Sequence, residues 1–164
     1  MSKEIFLIRH ARAELGEIDG KDIDRILTDE GCADAMRMGK KFQDEGHSPD
    51  VVLASTAQRT RETANYICEQ VAFETSQIEF TDDLYESSVR ILLGVINQLS
   101  DHSNKVWIIA HNPSISYLGE YLTGEIVNSL PPCGVLHLST IANSWSELSQ
   151  NSCTLEKYYD PIKL

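Results

Sequence analysis

Short apolar runs alternate along the chain with longer segments in which apolar residues recur every three or four positions. The short runs are rich in β-branched and aromatic residues and have turn-forming flanks, a pattern that predicts β-strands. The predicted strands cover residues 4–10, 50–55, 77–85, 105–111, 134–139 and 153–159. Those at 50–55 and 105–111 are almost continuously apolar, which is typical of central strands covered on both faces.

Segments of helical periodicity separate the first five of these strands. Their apolar residues fall on one stripe, which predicts amphipathic helices over residues 29–45, 57–71, 89–99 and 113–122. Thr28 is a predicted N-cap of the first helix, and Gly46 a predicted C-terminal stop. Pro113 stands at a favoured first position of the fourth helix.

The alternating order of elements predicts a three-layer α/β/α fold with helices on both faces of a mainly parallel sheet. We expect about six strands, and one antiparallel edge strand because no helix separates the last two. The 164 residues contain no repeat, linker or low-complexity tract. This length and continuity predict a single domain over residues 1–164.

Charge and composition narrow the possible partners. Lys and Arg number 14 against 25 Asp and Glu, a formal net charge of −11, so we expect neither nucleic acid nor an anionic membrane surface as a partner. The four cysteines lack the spacing of a zinc site, and no stretch has the length of a signal peptide or membrane span. These features predict a cytoplasmic protein without a metal or cofactor.

Polar side chains lie at or just after the ends of four successive predicted strands. Arg9 and His10 end the first, Arg59 lies in the first turns of the helix after the second, Glu86 follows the third and His111 ends the fourth. The carboxyl ends of parallel strands meet at one edge of a sheet, where ligands bind in such folds. We therefore expect these side chains to share one site.

Each of these residues, taken singly, has an ordinary structural interpretation. A surface arginine or solvated histidine is common, a glutamate suits the first turn of a helix, and Asn112 before Pro113 can serve as a cap. Their coincidence at one edge is what favours a site. The remaining histidines, His47, His102 and His137, do not share this placement.

The residue types at this edge suit phosphoryl transfer. Two arginines and a protonated second histidine can neutralise the oxygens of a phosphoryl group in the transition state. A neutral histidine can attack phosphorus and form a covalent phosphohistidine, while a carboxylic acid protonates the leaving atom. This set requires no metal ion, since the arginines supply the positive charge.

Four motifs occur in order within residues 5–116: "IRHARAE", "LTDEGCADA", "STAQRTRETA" and "IIAHNPSIS". The ordered set resembles the histidine phosphatase superfamily, whose fold is phosphoglycerate-mutase-like, and within it the SixA-type phosphohistidine phosphatases. The resemblance implies that His10 is the nucleophile and Glu86 the acid and base. The residues that it implies for phosphate or substrate binding are Arg9, Arg59, His111, Arg25 and Asn112.

Only 51 positions separate Arg59 from His111, and the predicted elements use nearly all of them. No lid-like insertion fits, so we expect an open site that admits a phosphorylated side chain of a protein. The predicted function is a metal-independent phosphatase of phosphohistidine in a signalling or carrier protein. The alternatives are a small-molecule phosphomonoesterase, a non-catalytic phosphate-binding module and a metallohydrolase.

Overall fold

Six strands and four α-helices alternate through residues 2–164, the part of the chain that this computed structural model describes. In chain order they are β1 (Lys3–Arg9), α1 (Asp29–Asp44), β2 (Val51–Ser55), α2 (Gln58–Gln70), β3 (Glu79–Thr81), α3 (Val89–Asn97), β4 (Lys105–Ala110), α4 (Ser114–Thr123), β5 (Val135–Thr140) and β6 (Thr154–Tyr159). No helix among these residues is long and apolar enough to cross a membrane.

The strands form one sheet in the order β3-β2-β4-β1-β5-β6. The first four of that order run parallel, whereas β5 pairs antiparallel with both β1 and β6. The predicted mainly parallel sheet of six strands is confirmed, with its antiparallel pairing at one edge. The edge strand itself is β6, and β5 lies one position inside it.

Two apolar layers flank the sheet because successive side chains of a strand point to opposite faces. Phe6 and Ile8 of β1 pack in a cluster with residues of α1 and α2, among them Met38 and Ile67. Leu7 of the same strand packs in the other cluster, which contains residues of α3 and α4. The predicted α/β/α layering is therefore confirmed.

The predicted ends of α1 are confirmed. Thr28 is its N-cap and accepts a hydrogen bond from the backbone nitrogen of Gly31 at 2.9 Å. Gly46 follows the helix with φ +78°, a conformation that glycine adopts without the steric cost of a Cβ atom. This N-terminus of α1 packs against the segment that leaves β1, since the nitrogen of Thr28 donates to the carbonyl of Arg12.

The third strand is shorter than the predicted 77–85, because a 3-10 turn at Asp82–Leu84 ends it. The Thr81 hydroxyl accepts from the nitrogen of Asp83 at 3.2 Å, which caps the turn. The turn leaves Asp82 and Asp83 exposed and buries Leu84 completely. The turn thus replaces the second half of the predicted strand and places Leu84 in the apolar core.

We expect Gly31→Ala to lower the free energy of unfolding by about 2 kcal/mol. A Cβ atom at this position would overlap the carbonyl oxygen of Arg12, which is backbone and cannot rotate away. The matched control is Gly94→Ala in α3, where an added Cβ meets no atom within 4 Å. That change is expected to be neutral or to stabilise by up to about 1 kcal/mol. Urea unfolding checks both, and equal effects would contradict the predicted clash.

Candidate functional site

The carboxyl ends of β1, β2 and β4 lie side by side and carry the candidate residues. Arg9 ends β1 and pairs in register with Ala110 of β4, so His10 and His111 follow neighbouring strand ends. Their ring centroids lie 5.2 Å apart. Arg59 enters from the first turn of α2, which follows β2. Four of the five side chains expected to share a site therefore lie at one edge of the sheet: Arg9, His10, Arg59 and His111.

His10 is a buried imidazole with a defined tautomer. Its Nδ1 lies 2.7 Å from the carbonyl oxygen of Ala11, which can only accept, so Nδ1 carries the proton. Burial, with smaller contributions from nearby positive charges, lowers its pKa to about 3, even though the bond to Ala11 favours protonation. At neutral pH the ring is therefore neutral, and Nε2 has a free lone pair.

His111 holds its proton on the opposite nitrogen. Nη2 of Arg59 lies 3.5 Å from Nδ1, and a guanidinium can only donate, so Nδ1 is an acceptor. Nε2 then donates to the Ser55 hydroxyl at 2.8 Å. Burial and the charge of Arg59 lower the pKa of His111 to about 4. The second histidine is thus neutral near pH 7 in this structure, whereas the sequence predicted a protonated one.

Arg9 is held by the segment that precedes β5. Its Nη1 donates to the carbonyl oxygen of Leu130 at 2.8 Å, and burial lowers the pKa of its guanidinium. The amide of Asn112 donates to that same carbonyl at 2.9 Å and to the Ser129 hydroxyl at 2.8 Å. Its Oδ1 accepts from Ser116 at 2.5 Å. Both ends of the Asn112 amide are therefore engaged in holding the segment that bonds Arg9.

Arg59 is bound by a residue that the sequence did not single out. Its Nη2 donates to Oδ2 of Asp22 at 3.0 Å, and its Nη1 to the Asp22 backbone carbonyl at 2.8 Å. The Tyr85 hydroxyl donates to the same Oδ2 at 2.7 Å. Nη1 of Arg25 donates to Oδ1 at 3.0 Å, and Nε of Arg25 to the carbonyl of Glu14. These donors, Tyr85 foremost, lower the pKa of Asp22 to about 2 against the opposing effect of burial.

Two donors in this cluster have no hydrogen-bond partner within residues 2–164. They are the Nε atoms of Arg9 and Arg59, and both are buried. Unpaired buried donors carry a free-energy cost, and they accumulate where a ligand supplies the missing acceptor. Two guanidinium groups beside a neutral, unprotonated histidine nitrogen suit an anion with several acceptor oxygens.

Glu86 does not join this cluster. It is exposed, has φ +53°, and forms no hydrogen bond with another described residue. Its neighbour Tyr85 reaches the cluster instead, through Asp22. The role of Glu86 as acid and base therefore stays a prediction.

The site is less open than its short connections led us to expect. Only 6% of Arg59 is exposed, because the loop that carries Asp22 contacts both of its terminal nitrogens. A cavity of about 650 Å³ lies on this loop, between Glu14 and Ile26, and neither histidine lines it. We place the chemistry at the histidines because the unpaired donors lie there. Within residues 2–164, no group of three His, Cys, Asp or Glu side chains could share a metal ion.

A family model, the histidine phosphatase superfamily (branch 1), matches residues 5–97, more than half of the chain. The chain belongs to the histidine phosphatase superfamily. The matched segment contains His10 and Arg59. Membership of this superfamily supports phosphatase activity.

Relatives of this histidine phosphatase cover most of its length. A chloroplastic protein of Arabidopsis thaliana, uncharacterized, is 27% identical over 155 residues, which is 90% of this chain and 71% of the relative. A 2,3-bisphosphoglycerate-dependent phosphoglycerate mutase of Bartonella tribocorum is 30% identical over 114 residues, 65% of this chain and 55% of the mutase.

Solved structures match the fold over nearly the whole chain. A candidate phosphohistidine phosphatase SixA from Nakamurella multipartitia has a TM-score of 0.87 and 25% identity, with 99% of this chain and 98% of that one covered. A protein histidine phosphatase SixA complexed with tungstate has a TM-score of 0.84 at 21% identity, covering 98% of each chain, and supports the fold. The phosphoglycerate-mutase-like fold expected of the histidine phosphatase is thereby confirmed.

Sequence analysis missed three residues that shape the site of this histidine phosphatase: Asp22, Ser55 and Tyr85. Ser55 is the last residue of β2, so its place at the sheet edge that carries the site could have indicated a role. Asp22 stands three residues before Arg25 in a long polar loop, where nothing in the pattern separates it from other acidic residues. Tyr85 directly precedes Glu86, and the sequence prediction considered only the Glu86 carboxylate at this strand end.

The buried neutral histidines predict an acid-sensitive fold. His10 binds protons more weakly in the folded chain, with a pKa of about 3 against an ordinary 6.5, so its contribution to stability is complete above pH 6.5 and falls as the pH drops below it. Between pH 7 and 5, we expect His10 to cost about 2 kcal/mol of unfolding free energy.

Urea unfolding at pH 7 and pH 5 is the measurement. Between these pH values, His10→Gln should lose about 2 kcal/mol less unfolding free energy than the wild type does. The control His102→Gln changes an exposed histidine and should retain the wild-type loss. Identical losses in the wild type and His10→Gln would contradict a neutral His10.

Proposed function

We propose that this protein removes phosphoryl groups from phosphohistidine in a partner protein, through a covalent phosphohistidine on His10. The observation that carries the proposal is the tautomer of His10. Its Nδ1 proton is committed to the Ala11 carbonyl, so the unprotonated Nε2 is the nucleophilic atom. A pKa of about 3 keeps that lone pair free at neutral pH.

In the first proposed step, Nε2 of His10 attacks phosphorus and a P–N bond forms as the P–N bond to the substrate imidazole breaks. The departing imidazole nitrogen takes a proton from solvent water. Arg9 and Arg59 hold the non-reacting oxygens, and their charge offsets the charge that these oxygens carry in the transition state. In the second step, water attacks the phosphorus of phospho-His10, which releases inorganic phosphate and restores the neutral ring.

Neutral His111 has a place in this scheme. Once a dianionic phosphoryl group lies near its ring, that charge favours the imidazolium and raises the pKa of His111 above its present value of about 4. The proton then serves as a further donor to the phosphoryl oxygens. The protonated second histidine predicted from sequence belongs, on this proposal, to the complex with substrate.

Phosphohistidine is favoured over a phosphate ester by the leaving group. Imidazole accepts a proton near neutral pH, so its departure needs less help from an enzyme acid than the departure of an alcohol does. Glu86 forms no hydrogen bond with the cluster among the described residues, which fits a substrate of this kind. The similarity to the Nakamurella multipartitia protein supports the same substrate class.

A small-molecule phosphomonoesterase is the second candidate, favoured by the likeness to the Bartonella tribocorum mutase. Comparison of kcat/KM for a phosphohistidine protein with values for sugar and nucleotide phosphates separates the two. A marked preference for one metabolite would favour the second candidate. Domain extent 1–164 and a cytoplasmic setting remain predictions.

We expect His10→Ala to abolish covalent labelling by a radioactive phosphohistidine protein and to lower kcat by about three orders of magnitude or more. Acid-labile, alkali-stable phosphate mapped to residue 10 by mass spectrometry is the measurement. His102→Asn, which changes an exposed histidine, is the matched control and should label as the wild type does. If the wild-type protein hydrolyses substrate without label on His10, the covalent step is wrong. If the wild-type protein binds phosphate but shows no turnover, it is a phosphate-binding module.

Glu86→Gln should separate the two substrate classes. If Glu86 acts as an acid, its loss lowers kcat for a phosphate ester by about 100-fold, since an alcohol leaves poorly without a proton donor. For a phosphohistidine protein, we expect a change within about threefold, because imidazole takes its proton from solvent. Paired kcat measurements on the wild type and variant check this. Equal, large losses on both substrates would contradict the leaving-group argument.

A further inference from the structure

The Asp22 carboxylate is an anion built into the arginine cluster. It lies in the loop between β1 and α1, on a 3-10 turn at Asp22–Asp24. Arg59 and Tyr85 donate to Oδ2 at 3.0 and 2.7 Å, and Arg25 donates to Oδ1 at 3.0 Å. These are charge-assisted donors of the kind that bind phosphate oxygens.

Asp22 takes both terminal nitrogens of Arg59. Nη2 bonds the carboxylate and Nη1 bonds the Asp22 backbone carbonyl, which leaves Nε buried without a partner. Each terminal nitrogen carries two N–H groups, and Asp22 accepts one from each, so a phosphoryl group that approaches the Nη pair competes with Asp22 for those two donors and meets its negative charge. Full use of the Nη pair by a phosphoryl group therefore requires that Asp22 give up its bonds to Arg59.

We propose that Asp22 is an internal competitor of phosphate at Arg59, displaced when the phosphoryl group of the substrate binds. This rests on the proposed function only in taking Arg59 as a phosphate ligand. It makes Asp22 a residue that determines specificity: a phosphoryl group that interacts weakly with the rest of the site fails to displace it.

When Asp22 and Arg59 separate, we expect the loop that carries Asp22 to move and Arg59 to stay in place. The Asp22 side chain is 47% exposed, and its 3-10 turn contains no buried residue. Arg59 projects from α2 and is buried. Segments with few buried contacts open at low free-energy cost, whereas helix residues packed in a core do not. The loop can therefore yield while Arg59 keeps its place beside His111.

A supporting role for Asp22 predicts the opposite outcome. If the carboxylate only held Arg59 and Arg25 in place for phosphate, its removal would weaken phosphate binding. A competitor's removal strengthens it. The sign of the change in phosphate affinity therefore decides between the two roles.

The decisive variant is Asp22→Asn, with Asp24→Asn as its control. Asparagine keeps the size of the side chain and the backbone carbonyl that bonds Nη1, but it lacks the charge. Asp24 is an exposed carboxylate of the same turn and forms no hydrogen bond to an arginine side chain among the described residues. The Asp24→Asn control therefore measures how much the loss of one nearby negative charge changes phosphate affinity.

Calorimetric titration of the full chain with inorganic phosphate is the measurement, since it needs no turnover. Relative to the wild type, Asp22→Asn should lower the Kd of phosphate by about three- to tenfold, the worth of roughly one net hydrogen bond. Asp24→Asn should change it by less than about twofold. A Kd for Asp22→Asn equal to that of Asp24→Asn, or higher than the wild-type value, would overturn the proposal.

Tyr85→Phe tests the same idea without a change of charge. It removes the bond that holds Asp22 Oδ2 and should tighten phosphate by about twofold. If Asp22→Asn tightens phosphate and Tyr85→Phe does not, simple charge repulsion explains the first result and the competitor proposal is wrong. Tyr85→Phe also decides the question if Asp22→Asn does not fold.

The proposed function and this inference can fail separately. Label on His10 together with unchanged phosphate affinity in Asp22→Asn leaves the function standing and removes the competitor. Tighter phosphate without any label leaves the competitor and removes the covalent mechanism. Failure of the wild type and both variants to bind millimolar phosphate would count against Asp22 as competitor.

Discussion

The burial of two guanidinium groups beside two imidazoles is the constraint from which the properties of this site follow. Burial lowers the pKa of both histidines, and nearby positive charges lower it further, so both imidazoles are neutral near pH 7. A neutral His10 with its proton committed to Ala11 is the form that can act as a nucleophile. The same burial leaves the Nε of each arginine without a partner among residues 2–164.

The sheet makes this costly arrangement possible because it fixes the positions of the residues rigidly. β1 and β4 are adjacent inner strands in parallel register, and His10 donates its backbone nitrogen to the carbonyl of Ala110 at 3.1 Å. Apolar layers on both faces bury these strands. The imidazoles therefore leave neighbouring strand ends at a set spacing, and the loops supply the groups that can move. Asp22 belongs to that second set, and on our proposal its loop is the part of the site that moves when substrate binds.

The residues carried by regular elements were predictable from sequence, and those carried by loops were not. Periodicity located β1, β4 and the start of α2, and parallel topology then brought His10, His111 and Arg59 together. Asp22 and Tyr85 meet across 63 positions of the chain, through a loop and a turn whose conformations no periodic pattern encodes. For Asn112, contact with substrate stays a prediction of the motif; in the structure its amide bonds the segment that holds Arg9. The acceptor, the Leu130 carbonyl, belongs to the backbone, so no residue type at that position indicates the bond.

The acidity of the whole chain and the cationic character of the cluster are compatible because they act over different distances. A net charge of −11 spread over the surface is screened beyond roughly 10 Å at ordinary ionic strength. The guanidinium donors act within 3 Å, in a buried setting where screening is weak. We therefore expect a polyanion, which experiences the surface field along its length, to be repelled, and a single phosphoryl group to experience mainly the cluster. Asp22 extends this selection into the cluster itself, because it places one of the chain's many carboxylates directly on Arg59.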